Sequence, residues 1–199
     1  VMVRRLKSDL RELSDDFPER HIIPLSIAGL PDSTPELRLS HVLAQYRRAR
    51  EARMTGATRS QIASAMLVVT SLQKRLLSSI EAFASTLQVH RRAVDQALAQ
   101  ASRAAPAPAQ LQSALPLLAE TPGSDDERAD LEESEVQAEE EAEMERATTS
   151  AAASGPREIE LLAEMTEIAA RHRYEPDVKV RRLIAWLRQN LCPELGAPD

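Results

Sequence analysis

Few residues in this chain are of types that do chemistry, and their spacing limits what they can do. A nucleophilic cysteine needs a base nearby, yet Cys192 stands before Pro193 at a helix end with no histidine close in sequence. It reads as a small buried hydrophobe rather than a reactive thiol. His21, His41, His90 and His172 are scattered singly, with no metal-ligand spacing, and read as surface or core-edge residues. Hydrolysis of a nucleoside triphosphate needs a glycine-rich loop to cradle phosphate, a lysine on the β/γ phosphates and an acidic residue for Mg²⁺. The chain carries no G-x-x-x-x-G-K-[ST] run, and Asp125-Asp126-Glu127 sits in a Gly/Ser-rich stretch as solvated charge. No catalytic, cofactor-binding or metal-binding residue is expected within this segment.

What the chain does offer is clustered positive charge. The groups are Arg4, Arg5 and Lys7; Arg47, Arg48, Arg50 and Arg53; Lys74 and Arg75; Arg91 and Arg92; and Lys179, Arg181 and Arg182. Such residues suit phosphate contacts, which bind nucleic acid without sequence preference and with strong salt dependence. Exposed helix faces are also ordinarily rich in arginine. The four arginines between 47 and 53, crowded on one helix end, are the leading candidates for contact with DNA or an acidic partner. Lys74 and Arg75 interrupt a largely apolar helix, so they must snorkel or pair with a carboxylate at the bundle edge. Trp186 falls off the main apolar stripe of its helix, as a docking residue or one partly buried on the bundle.

The elements that position these residues are mostly helical. Only 3% of the 199 residues are aromatic and only 5 are glycine, while Ala, Leu, Glu, Arg and Gln, good helix formers, dominate. Residues 1–16 read as a short basic helix stopped by Pro18. His21 to Ala28 is β-branched and closed by Gly29 and Pro31, so it reads as a strand, with Pro24 restricting it to an edge. Leu39, Val42, Leu43 and Tyr46 then recur at helical spacing up to Gly56. A second helix over about 58–77 places Ile62, Met66, Val69, Gln73 and Leu76 on one side, with Leu67, Val68 and Leu72 widening the apolar face. Ser78 and Glu81 have the spacing of a capping box for a third helix carrying Ile80, Phe83, Ala84, Leu87, Val94 and Leu98. Ile159, Leu162, Met165 and Ile168 mark a fourth, and Val180, Leu183, Ile184, Leu187 and Leu191 a fifth, capped by Asp177 or Glu175 around Pro176. The expected fold is mainly α: a bundle of about five helices with one short edge strand near the N-terminus.

The net charge of −6 is unevenly placed: residues 1–110 hold 16 Lys+Arg against 10 Asp+Glu, whereas residues 111–149 hold 2 against 13. Residues 104–156 therefore read as an acidic Pro/Ala/Glu-rich insert with too little apolar surface to order itself, mostly disordered or a solvated helix. The expected organisation is an exit segment at 1–31, a helical protrusion at 32–103, this insert, and returning helices at 157–199. No apolar run approaches the roughly 20 residues that span a bilayer, and the lone cysteine excludes an internal disulfide. A cytoplasmic setting and no membrane partner are expected. The chain starts with Val1 and stops at Asp199 without a capping signature, so both ends read as cut from a longer protein.

Three stretches, in order, resemble the Swi/Snf-related, helicase-type ATPases, particularly their bacterial HepA-like branch. Met2-Val3-Arg4-Arg5-Leu6-Lys7-Ser8-Asp9-Leu10, followed by Phe17-Pro18-Glu19-Arg20 and residues 21–28, is similar to the hydrophobic-Arg-Arg-x-Lys block that follows the first motor lobe. Leu72-Gln73-Lys74-Arg75-Leu76-Leu77-Ser78-Ser79, with Ile80-Glu81-Ala82-Phe83 after it, is similar to that branch's helix junction. Lys179-Val180-Arg181-Arg182-Leu183-Ile184-Ala185-Trp186-Leu187 is similar to the segment leading into the second lobe. Together they hold 42 of the 199 residues. Leu6 stands where the commoner family form has Thr, which turns the resemblance away from the eukaryotic remodelling subgroup and toward helicase-like components of phage-defence systems such as DISARM.

The resemblance implies a parent that uses ATP and Mg²⁺ to translocate along double-stranded DNA. It makes this chain the helical segment between two RecA-like lobes, its flanking partners, with Arg4 and Arg5 bracing the interlobe cleft. The ATP-binding residues of such a motor would lie outside these residues. Two other classes fit the composition: a standalone helical interaction module with an acidic regulatory linker, and a helix-bundle DNA-binding regulator using the Arg47–Arg53 face.

Overall fold

The computed structural model describes residues 22, 24, 26–102, 133–151 and 153–191, and the chain divides into two units, 1–30 and 31–199. In the first unit the described residues form neither helix nor strand. The edge strand expected over 21–28 is therefore not found among them. Pro24 supplies no ladder donor, and no other strand is present among the described residues to pair with it.

The second unit contains six helices among the described residues: α1 (Pro35–Arg53), α2 (Arg59–Ser78), α3 (Ile80–Ala101), α4 (Glu133–Ser150), α5 (Pro156–His172) and α6 (Val178–Asn190). Local chemistry sets their ends. Proline occupies the start of α1 and α5, where its missing N–H costs nothing. Gly56, at φ +91°, turns the chain after α1 in a conformation that other residues avoid. Thr58 and Gln61 form a reciprocal capping box on α2. The cap of α3 is Ser79 rather than the expected Ser78: its hydroxyl accepts from the Ala82 N–H at 3.0 Å. Ser78 still belongs to α2, and the extended Ser79 closes one helix while opening the next. Asp177 caps α6 by accepting from the Val180 N–H at 2.8 Å.

The core follows from the apolar periodicity. Leu39, Val42, Leu43 and Tyr46 of α1 meet Leu161, Leu162, Met165 and Ile168 of α5, while Phe83, Leu87 and Val94 of α3 join them from a further side. On α2 the buried face runs through Ala65, Val68, Val69 and Leu72, whereas Ile62 and Gln73, expected to face inward, are exposed. Each large apolar side chain fully buried this way contributes about 1.5–3 kcal/mol.

Two departures from the sequence reading concern the acidic stretch and the last helix. Residues 103–132 lie outside the described residues, but 133–150, assigned to the disordered insert, form α4. A narrow stripe explains it: Met144, Ala147 and Thr148 fall at i, i+3 and i+4 and are buried against α2 and α3, with most of the glutamates turned outward. The described helices thus number six rather than five. The last of them, α6, buries no residue at all.

Candidate functional site

Three charged or polar residues lie where their helices should be apolar. Arg50 continues the Leu39–Tyr46 stripe of α1, His90 falls between Leu87 and Val94 on α3, and Glu158 precedes Leu161 and Leu162 on α5. All three are buried, at 2%, 0% and 1% exposure respectively. They form one network. Arg50 Nη1 donates to Glu158 Oε2 at 3.1 Å and to Tyr46 Oη at 2.9 Å. Arg53 Nε donates to Glu158 Oε1 at 2.5 Å, and its Nη2 reaches the Ala153 carbonyl. One carboxylate from α5 thus holds two arginines from α1.

Hydrogen positions in the other arm follow from counting donors. Thr148 donates its only hydroxyl hydrogen to the Met144 carbonyl at 2.7 Å, so at 2.7 Å from His90 Nδ1 it must accept. His90 therefore carries its proton on Nδ1, and Nε2 accepts from the Tyr46 hydroxyl at 2.8 Å. The donors run in one direction, Arg50 to Tyr46 to His90 to Thr148, across α1, α3 and α4. Burial pushes the Tyr46 phenol up to about 12. Burial first, then the nearby Arg50 charge, pushes His90 down to about 3, so the ring is neutral. Arg50, Tyr46, His90 and Glu158 are closed to solvent and leave no room among them for a substrate; what the cluster does is join four helices.

The network accounts for two of the four arginines expected to face DNA: Arg50 is enclosed and Arg53 is engaged. Arg47 pairs with Glu51 at 2.7 Å along an exposed face. Arg48 is exposed with no partner among the described residues. Arg75 pairs with Glu140 of α4, one of the two outcomes its position allowed, whereas Lys74 is exposed. Arg91 lies 3.8 Å from Asp95, and Arg92 is exposed. Arg4, Arg5 and Lys7, like Cys192, fall outside the described residues. Of positions 47–53, Arg50 is enclosed and Arg53 is partly so, while Arg47 and Arg48 remain exposed.

The remaining candidates converge on α6. Its root is fixed: Val178 N–H donates to Glu36 Oε1 of α1 at 3.0 Å, and Lys179 Nζ donates to the Leu77 and Ser78 carbonyls at the end of α2. Asp177, which caps α6, is buried, and its Oδ2 has no hydrogen-bond partner. Beyond this root, Val180, Leu183, Ile184, Leu187 and Leu191 form an uncovered apolar stripe, with Leu183 52% and Leu187 37% exposed. By helical rotation Arg181 and Arg188 flank one edge of the stripe, Lys179 and a half-buried Trp186 the other, and Arg182 lies behind. Arg181, Arg182 and Arg188 have no ion-pair partner among the described residues.

Among the described residues no group of three His, Cys, Asp or Glu side chains is placed to hold a metal ion, and no helix is long and apolar enough to cross a membrane. Compared with known proteins, the chain matches no family model, no curated protein and no solved structure.

Proposed function

We propose that the chain is the interlobe helical segment of a DNA-dependent ATPase of the Swi/Snf-related, helicase type, supporting DNA engagement and coupling of the motor lobes without hydrolysing ATP itself. The three family-like sequence blocks, in order, are its basis. The observation that carries it structurally is α6, which contains the third block, is fastened to α1 and α2 at its first turn, and then presents apolar residues that nothing described covers. A helix so placed needs a further body to bury its stripe. A flanking motor lobe, arriving directly after it in the chain, meets that need.

In this reading the bundle is a rigid spacer. Arg181, Arg182 and Arg188 on α6, with Arg38, Arg48, Arg59, Lys74 and Arg92 on the bundle, are among the exposed cations left to contact phosphate. The 199-residue chain is expected to turn over no ATP above background, while the reading frame that contains it is expected to show hydrolysis stimulated by duplex DNA. Turnover by the chain alone, or a frame lacking a phosphate-binding loop upstream, overturns the proposal.

A second reading, a standalone helical interaction module, is favoured by the internal use of Arg50 and Arg53, which removes much of the basic face. It gives the α6 stripe a separate protein partner instead of a lobe of the same chain.

A further inference from the structure

We infer that α6 docks on an amphipathic helix that carries carboxylates along one edge of its apolar seam. This rests on the reading in which a lobe of the parent covers α6, and names the surface that lobe must present. Val180, Ile184, Leu187 and Leu191 follow one another at intervals of four, three and four residues, the alternation that keeps a single seam facing a second helix. Arg181 and Arg188 are seven residues apart and so return to the same side of that seam, each beside Ile184, with Arg188 also one turn from Leu191. In paired helices, residues at this position lie against the partner's flank, where their charge selects it. Both are exposed, and neither has an ion-pair partner among the described residues.

The sign of the charge comes from the whole helix. Lys179, Arg181, Arg182 and Arg188 are its ionisable residues, and none is acidic. Lys179 is spent on the carbonyls of Leu77 and Ser78, and Arg182 lies behind the stripe. The positive charge beside the open seam is therefore that of Arg181 and Arg188. A partner without carboxylates there would cover two guanidinium groups and leave them unpaired.

Other occupants fit less well. Duplex DNA offers anions but no apolar surface to cover the seam. A second copy of α6 offers the seam but no carboxylate, so its arginines would meet arginines or Leu183. Anionic lipid offers both, yet a helix lying in a bilayer surface sinks along its length, and the first turn of α6 is pinned to the bundle. Glu36 and Asp177 stand at that turn, each keeping one carboxylate oxygen without a hydrogen-bond partner among the described residues, which repels an anionic headgroup. A protein helix needs no such immersion. Beside Val180 a cleft of about 280 Å³, walled in part by Ile80, Tyr174 and Pro176, leaves room for it to run past the root. Of the exposed cations on α6, Arg181 and Arg188 thereby go to protein and Arg182 to phosphate.

Nitrogen–proton NMR of the whole chain, titrated with a synthetic helix of several heptads, tests this. The probe has Ile and Leu on its seam and Glu along both flanks; a second probe differs only in Lys for Glu. Amide shifts centred on α6 are expected with the Glu helix, and binding at least about tenfold weaker with the Lys helix. The double variant Arg181→Glu, Arg188→Glu should reverse that preference; both positions are exposed, so the bundle stays folded. Equal binding of the two helices, no shift in α6 with either, or an unreversed preference in the double variant overturns the inference. So does a shift of α6 with phosphatidylglycerol vesicles where the Glu helix gives none, which would make the occupant a bilayer. A concentration-dependent dimer through α6 with no probe present overturns it as well. The motor reading is judged separately, by DNA-stimulated hydrolysis in the full reading frame: it can fail while the acidic helix still binds α6, and can stand while that binding is absent.

Discussion

At the scale of single residues, the side chain on which most depends is Glu158. It is 1% exposed and neutralises two arginines, one as enclosed as itself and one 43% exposed. The cost of breaking such a pair depends on which charge is stranded. Glu158→Gln leaves the buried Arg50 cation without a counter-charge and should cost about 3–5 kcal/mol. Arg53→Ala removes a cation that has access to water and leaves the carboxylate its buried partner, so it should cost about 1 kcal/mol or less. Urea unfolding of the two variants, compared at constant slope, measures the difference. Equal costs would mean that Arg50 and Glu158 are not the mutual partners the geometry makes them. Gly155 belongs to the same site: a Cβ there would stand 2.8 Å from Arg53 Cδ, so its lack of a side chain leaves room for the arginine to reach Glu158.

At the scale of elements, α4 holds by a few apolar contacts in its second half and by an ion pair in its first. Met144, 1% exposed, is its largest fully buried side chain. Met144→Ala should therefore cost about 2–5 kcal/mol. Arg75→Ala, at a partly exposed pair, should cost about 1 kcal/mol or less, and that small effect should fade in high salt; thermal unfolding at two ionic strengths distinguishes them. The elements also show how far the sequence could be read. Helices α1, α3 and α5 were legible because Leu39-Val42-Leu43-Tyr46 and its counterparts repeat at the helical period. Helix α4 was not, because four buried residues, one of them Glu143, in a glutamate-rich stretch fall below what composition can detect, and their seating depends on a groove made by distant chain. The polar network was half legible: Arg50, His90 and Glu158 each sit in register with the apolar stripe of their own helix, a signal that marks burial. Their pairing was not legible, since 108 positions separate Arg50 from Glu158. Reading Arg50 by its charge rather than by its register put it on a DNA face.

At the scale of the whole molecule, the described helices of the second unit divide into five that share a core and one that does not. This division makes α6 separable in energy though not in position. Its first turn is bound to Glu36, Leu77 and Ser78, while its apolar stripe contributes no buried residue. Joint substitution of Leu183→Asp and Leu187→Asp thus removes nothing from the core, and the thermal midpoint of the chain should move by no more than about 2 °C, as for substitutions at exposed positions. A core helix would respond quite differently, since a carboxylate in an apolar interior is among the most destabilising changes available. The same pair placed in the full reading frame should have the opposite character. If a motor lobe covers the stripe, two carboxylates in that interface break the link between bundle and motor, and DNA-stimulated ATP hydrolysis should fall while the bundle stays folded. Unchanged hydrolysis in the full frame would separate α6 from the motor and leave its stripe to a partner outside the chain. A large loss of stability in the chain alone would instead make α6 part of the bundle's own core.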